Sequence, residues 1–145
     1  MKTLLLIITI WLLIQRIRST PRNICKSRYD TYVNKIIKSE QQILSHYTSH
    51  DIDVYKILKT ILYGSLYAIM FAYYLYLANK FESVIFVYIL SIIQCSSVLI
   101  TFFQELKTDI CNIGKNTCEF NRWWLLFNVI LDYVYYSAVI YLLLQ

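Results

Sequence analysis

Three stretches of this 145-residue chain, Thr60–Asn79, Ser83–Gln104 and Trp123–Gln145, are almost free of charge, with Asp132 interrupting only the last. About 20 apolar residues at ~1.5 Å rise per residue cross the ~30 Å hydrocarbon core of a bilayer as a helix, so each stretch is long enough to span it. A shorter apolar run, Thr3–Gln15, opens the chain. None of these runs shows the polar–apolar alternation of a half-buried strand, which disfavours both soluble β folds and a transmembrane barrel. The expected fold is therefore all-α: a polytopic membrane helical bundle of four hydrophobic helices over about 3–18, 54–79, 83–104 and 123–144, the first one short. An amphipathic helix outside the membrane is expected over 27–47, the whole forming a single membrane domain of residues 1–145. The composition agrees. Charged residues make up 16% of the chain against the ~25% usual in soluble domains, and two Gly and one Pro leave little punctuation for loops.

The net charge is +5, and its distribution is uneven. Arg16, Arg18, Arg22, Lys26, Arg28, Lys35, Lys38 and Lys56 fall in the stretch from Gln15 to Lys56, and Lys107, Lys115 and Arg122 in the stretch from Glu105 to Arg122. If all four runs span, these eleven cations share one side of the membrane. Positive-inside reasoning makes that side cytosolic and places both termini outside. Cations that flank membrane segments are accounted for by the lipid surface, so no nucleic-acid partner is inferred.

Residues 1–18 admit two readings: a signal peptide, or a retained first helix whose arginines snorkel to the interface. Gln15, Arg16 and Arg18 follow the apolar core directly, where a cleavage site wants small neutral residues, and this favours retention. Ser27–Tyr47 carries Tyr29, Tyr32, Val33, Ile36, Ile37, Ile43, Leu44 and Tyr47 at helical spacing, with Ser27 and Asp30 resembling a capping box. Such a helix either docks on anionic lipid or a partner, or packs over the mouth of the bundle. His46 and His50 sit in what reads as a solvated turn, with Asp51 or Asp53 as the next N-cap. No metal or other cofactor is inferred from them, nor from Cys25, Cys111 and Cys118. Cys111 and Cys118 form a possible disulfide if their side is luminal, and are free thiols if it is cytosolic.

Within the spans, Gly64, Ala68 and Ala72 recur every four residues as a small-residue groove beside an aromatic stripe of Tyr63, Tyr67, Phe71 and Tyr74. Asn79–Glu82 reads as a tight hairpin, which makes its flanking helices antiparallel neighbours. Gln94 and Cys95 are packing-sized polar groups in the third span. Asp132 lies about nine residues into the last span, where a bare charge costs about 2.5–3.5 kcal/mol. It is expected to find Gln94, Tyr67, Ser65 or another donor, as a clasp between helices or a contact to a partner subunit rather than as a transport site. No paired acids, nucleophile–base set, phosphate loop or redox CxxC appears, and no enzyme is inferred.

The layout resembles the transmembrane protein 107 family, small four-span proteins of the ciliary transition zone. The local likeness is Gln94-Cys95-Ser96-Ser97-Val98, then Thr101-Phe102-Phe103, then Trp123-Trp124 with Phe127, and Asp51-Ile52 before the second span. The chain departs from the family in its longer loop before Trp123, in the position of Asp132 and in its ending, Leu142-Leu143-Leu144-Gln145 without a basic tail. The resemblance implies a non-enzymatic scaffold that assembles with other membrane proteins into the barrier at the ciliary base. It also implies cytosolic termini, opposite to the positive-inside count.

Overall fold

The computed structural model describes residues 2–106 and 121–145. Those residues form five helices: α1 (Lys2–Ile24), α2 (Lys26–Leu44), α3 (Ser49–Lys80), α4 (Ile85–Glu105) and α5 (Arg122–Leu144). All of them except α2 are long and apolar enough to cross a membrane. The protein is thus all-helical among the described residues, with four candidate spans and one amphipathic helix.

The helix ends follow local chemistry. Helix α1 runs six residues beyond its expected end at 18, and Pro21 lies inside it. Proline donates no hydrogen bond, and just before it the Ser19 and Thr20 hydroxyls both donate to the Arg16 carbonyl, at 2.9 and 2.8 Å. A single residue, Cys25, joins α1 to α2, and the Tyr29 amide bonds back to its carbonyl at 3.0 Å. Helix α2 therefore starts before Ser27, which cannot cap it; the Ser27 carbonyl instead accepts from Thr31 Oγ1 at 2.7 Å. The capping box lies at the next helix. Thr48 is the N-cap of α3, its hydroxyl accepting from the Asp51 amide at 3.4 Å and its own amide donating to Asp51 Oδ2 at 3.1 Å. This corrects the expected cap at Asp51 or Asp53: Asp51 occupies the third helical position, where a carboxylate reaches back. At the far end the Phe81 amide bonds the Leu77 carbonyl at 3.0 Å and Val84 bonds Phe81 at 2.9 Å, which closes the hairpin into α4. Asn121 caps α5 through its side chain, which accepts from the Trp124 amide at 3.1 Å.

The chain divides into two compact units, Met1–Tyr32 with Glu119–Gln145, and Val33–Cys118. In the first, α1 packs on α5. Leu5 and Thr9 near the start of α1 are buried, as are Val139 and Leu143 near the end of α5, while Arg16 meets Asp132 and Thr20 meets Tyr133 further along. An antiparallel pairing accounts for all of these contacts together. In the second unit α3 packs on α4. Its buried seam is Tyr74, Leu77 and Ala78 against Val87, Ser91, Gln94, Cys95 and Val98, and the Tyr67 and Phe102 rings meet at 5.5 Å. On α4 these positions alternate by three and four residues, the repeat that keeps one stripe of a helix against its neighbour.

Elsewhere the helices present hydrocarbon outward. Ile69, Ile85 and Leu144 are 67%, 71% and 68% exposed, and many Ile, Leu and Phe side chains on the same surfaces accompany them. Continuous apolar surface of this extent is stable against lipid tails and not against water.

Candidate functional site

In lipid, apolar side chains gain nothing by leaving one hydrocarbon for another, so polar and tightly packed contacts decide which helices associate. Two charged contacts stand out. In the first unit Arg16 Nε lies 2.6 Å from Asp132 Oδ2, with the side chains 23% and 15% exposed. The Nε–H is not directed along the line to the oxygen, so the contact at that atom is an ion pair rather than a hydrogen bond. Beside it, Thr20 Oγ1 and Tyr133 Oη share a hydrogen bond of 2.6 Å. Arg16 lies eight residues before the end of α1 and Asp132 ten residues after the start of α5. At ~1.5 Å per residue these depths are about 12 and 15 Å, measured from ends that antiparallel packing brings to the same side. The two charges are opposite in sign and matched in depth.

The second unit holds the other contact. Lys59 Nζ on α3 lies 2.6 Å from Glu40 Oε1 on α2, both largely buried, with the ammonium 5.7 Å from the centre of the Tyr63 ring. A cation at this distance from an aromatic face gains further attraction. Neither Arg16 nor Lys59 is an obvious site residue in the sequence. Arg16 closes an apolar run and reads as a snorkelling interface residue. The signal for Lys59 is its setting between Ile57-Leu58 and Ile61-Leu62, together with Glu40 on the apolar face of α2 among Ile36, Ile37, Ile43 and Leu44. A charge set in each apolar stripe requires a counter-charge.

The remaining sequence-derived residues separate into two groups. Gln94 and Cys95 are buried in the α3–α4 seam, where the Cys95 thiol lies 3.9 Å from the Phe71 carbonyl. Gly64, Ala68 and Ala72 do not form that seam. Ala68 and Ala72 are exposed, and no atom lies within 4 Å of the position a Gly64 Cβ would take. The aromatic stripe of Tyr63, Tyr67, Phe71 and Tyr74 makes the contact face of α3 instead, half-buried to buried along its length. Asp132 meets a counter-charge in Arg16. Cys111 and Cys118, the possible disulfide, lie outside the described residues, whereas Cys25 is an exposed free thiol and Cys95 a buried one.

The arrangement is suited to holding helices together. Charges meet counter-charges, small and polar side chains occupy seams, and the small-residue stripe of α3 is left facing outward. Comparison with protein-family models, with curated proteins and with solved structures finds no match to this chain.

Proposed function

We propose that this protein is a non-enzymatic, multi-span membrane adaptor that assembles other membrane proteins through lateral helix packing. The outward stripe of Gly64, Ala68 and Ala72 carries this reading. Its own chain leaves open space over Gly64, and small residues at this spacing let a partner helix approach backbone to backbone. The Arg16–Asp132 pair favours the same reading over a small channel or transporter subunit built around Asp132, because the carboxylate already has a counter-charge within the chain.

Gly64→Leu is expected to leave the fold intact, since a Cβ at this position meets no atom of its own chain, and to weaken co-purification of partner membrane proteins, because the bulkier side chain holds a partner backbone away. Ser83→Leu, in the hairpin, serves as control. Equal partner yields from the two variants at equal expression would refute the stripe as the contact surface.

The place of assembly we propose is the ciliary transition zone. Support for this comes from the residues that resemble the transmembrane protein 107 family, Gln94–Val98, Thr101–Phe103 and Trp123-Trp124 with Phe127. An epitope-tagged full-length chain is expected as puncta at ciliary bases. A uniform plasma-membrane, endoplasmic-reticulum or mitochondrial signal removes the ciliary placement and leaves the adaptor reading to the Gly64 experiment.

A further inference from the structure

We infer that α2 lies on the bilayer surface and binds the anionic phospholipids of the leaflet it rests on. No residue of helix α2 is fully buried. One face, Val33, Ile37, Glu40 and Leu44, is half-buried. Beside it runs an outward strip of Tyr32, Ile36 and Ile43, which are 43%, 37% and 39% exposed, with the Arg22 guanidinium 4.0 Å over the Tyr32 ring. At about 100° per residue, positions seven apart differ by only about 20°, so Ile36 and Ile43 form one line and Arg28 and Lys35 a second. Arg28 and Lys35, both exposed, border the apolar strip on its outer side, and the exposed Lys38 lies about 60° beyond Lys35. An apolar strip edged by cations is the pattern of a helix embedded at the depth of the headgroups.

Charge and depth specify the occupant. The two acids of α2 are Asp30 and Glu40, and Lys59 already neutralises Glu40 at 2.6 Å. The exposed surface of the helix is therefore strongly cationic, complementary to anionic headgroups. Lys59 stands between Ile57, Leu58, Ile61 and Leu62 of a membrane-spanning helix, and these four are about three-fifths exposed, at 60%, 61%, 62% and 59%. That much uncovered hydrocarbon belongs at the level of lipid, so Glu40, in contact with Lys59, brings this part of α2 to the same level. The connections hold it there. Only Cys25 separates α2 from α1, and only Ser45–Thr48 separates it from α3. Four extended residues reach at most about 14 Å. A helix tied so closely at both ends to membrane spans stays on the membrane surface.

Each cation beside an anionic surface contributes about 1 kcal/mol, a factor of about five. The full-length chain, purified in mild detergent and offered equal amounts of phosphatidylserine and phosphatidylcholine, is expected to retain the anionic lipid in native mass spectra with a preference on the order of tenfold or more. Arg28→Gln/Lys35→Gln/Lys38→Gln should bring that preference close to unity, while Lys80→Gln, at the far end of α3, should leave it unchanged. Equal retention of both lipids by the wild type, or a preference that survives the triple substitution, overturns the inference. A spin label at Ile36, in a background with the four cysteines changed to serine, gives a second readout in vesicles of the same two lipids. Oxygen should reach it readily and a water-soluble nickel reagent poorly, with the reverse at Asn34. Access of nickel to Ile36 means the strip faces water, and shielding from both reagents means a protein covers it; either result sinks the proposal.

Discussion

Arg16→Ala is expected to destabilise the folded protein in bicelles by about 3–5 kcal/mol, the usual cost of leaving one member of a buried ion pair without its partner. The cost arises because Asp132 is only 15% exposed, and lipid rather than water would meet it on that side. Asp132→Ala should have a similar effect, stranding the guanidinium instead. The double variant Arg16→Leu/Asp132→Leu separates an ion-pair role from mere loss of bulk. Replacing both charges with well-packed apolar groups is often neutral or stabilising, so the double variant should unfold near the wild type. Reversible unfolding in bicelles, followed by steric trapping, reads all three. Single variants within about 1 kcal/mol of the wild type, the range of exposed surface pairs, would show that the contact contributes nothing buried. A double variant whose loss equals the sum of the singles would show that the two residues do not act together.

Glu40→Ala is expected to cost about 3 kcal/mol and to release α2 from α3. Lys59 is 10% exposed, and its ammonium, 5.7 Å from the centre of the Tyr63 ring, would lose its carboxylate partner. The value belongs at the lower end of the range for broken pairs because a lysine stem can carry its charge outward to the interface. Amide hydrogen exchange should then accelerate along Val33–Leu44 while the α3–α4 seam keeps its protection. Glu40→Met/Lys59→Met should restore slow exchange in α2. Unchanged exchange in Glu40→Ala would mean that α2 is held by its apolar contacts and not by this pair.

The spans were legible in the sequence because they depend on length and the absence of charge, properties that survive without knowledge of neighbours. The hairpin at Asn79–Glu82 and the amphipathic helix were legible for similar local reasons. What could not be read was which face of a span meets which partner. Helix α3 is apolar on every side from Thr60 to Ala78, so periodicity could not choose between its small-residue stripe and its aromatic stripe, and the aromatic stripe makes the seam. The cap of α3 was misplaced because Thr48, Asp51 and Asp53 are all good candidates, and only backbone geometry separates a cap from a residue in the first turn. Nothing next to Asp132 in the sequence marks its partner. Arg16 is remote in sequence and stands where an apolar run ends, so it carried no mark of a deep contact.

The Arg16–Asp132 contact also bears on how the polypeptide is made. Its arginine belongs to α1 and its aspartate to α5, so the two leave the ribosome far apart in time. Until α5 emerges, α1 carries a positive group without this counter-ion, at a depth where hydrocarbon penalises it. The α3–α4 hairpin, by contrast, has both halves of its interface within a short length of chain and can settle as soon as it emerges. Biogenesis thus has an order written into it: the α3–α4 hairpin settles early, and α1 reaches its final depth only when α5 arrives to neutralise it.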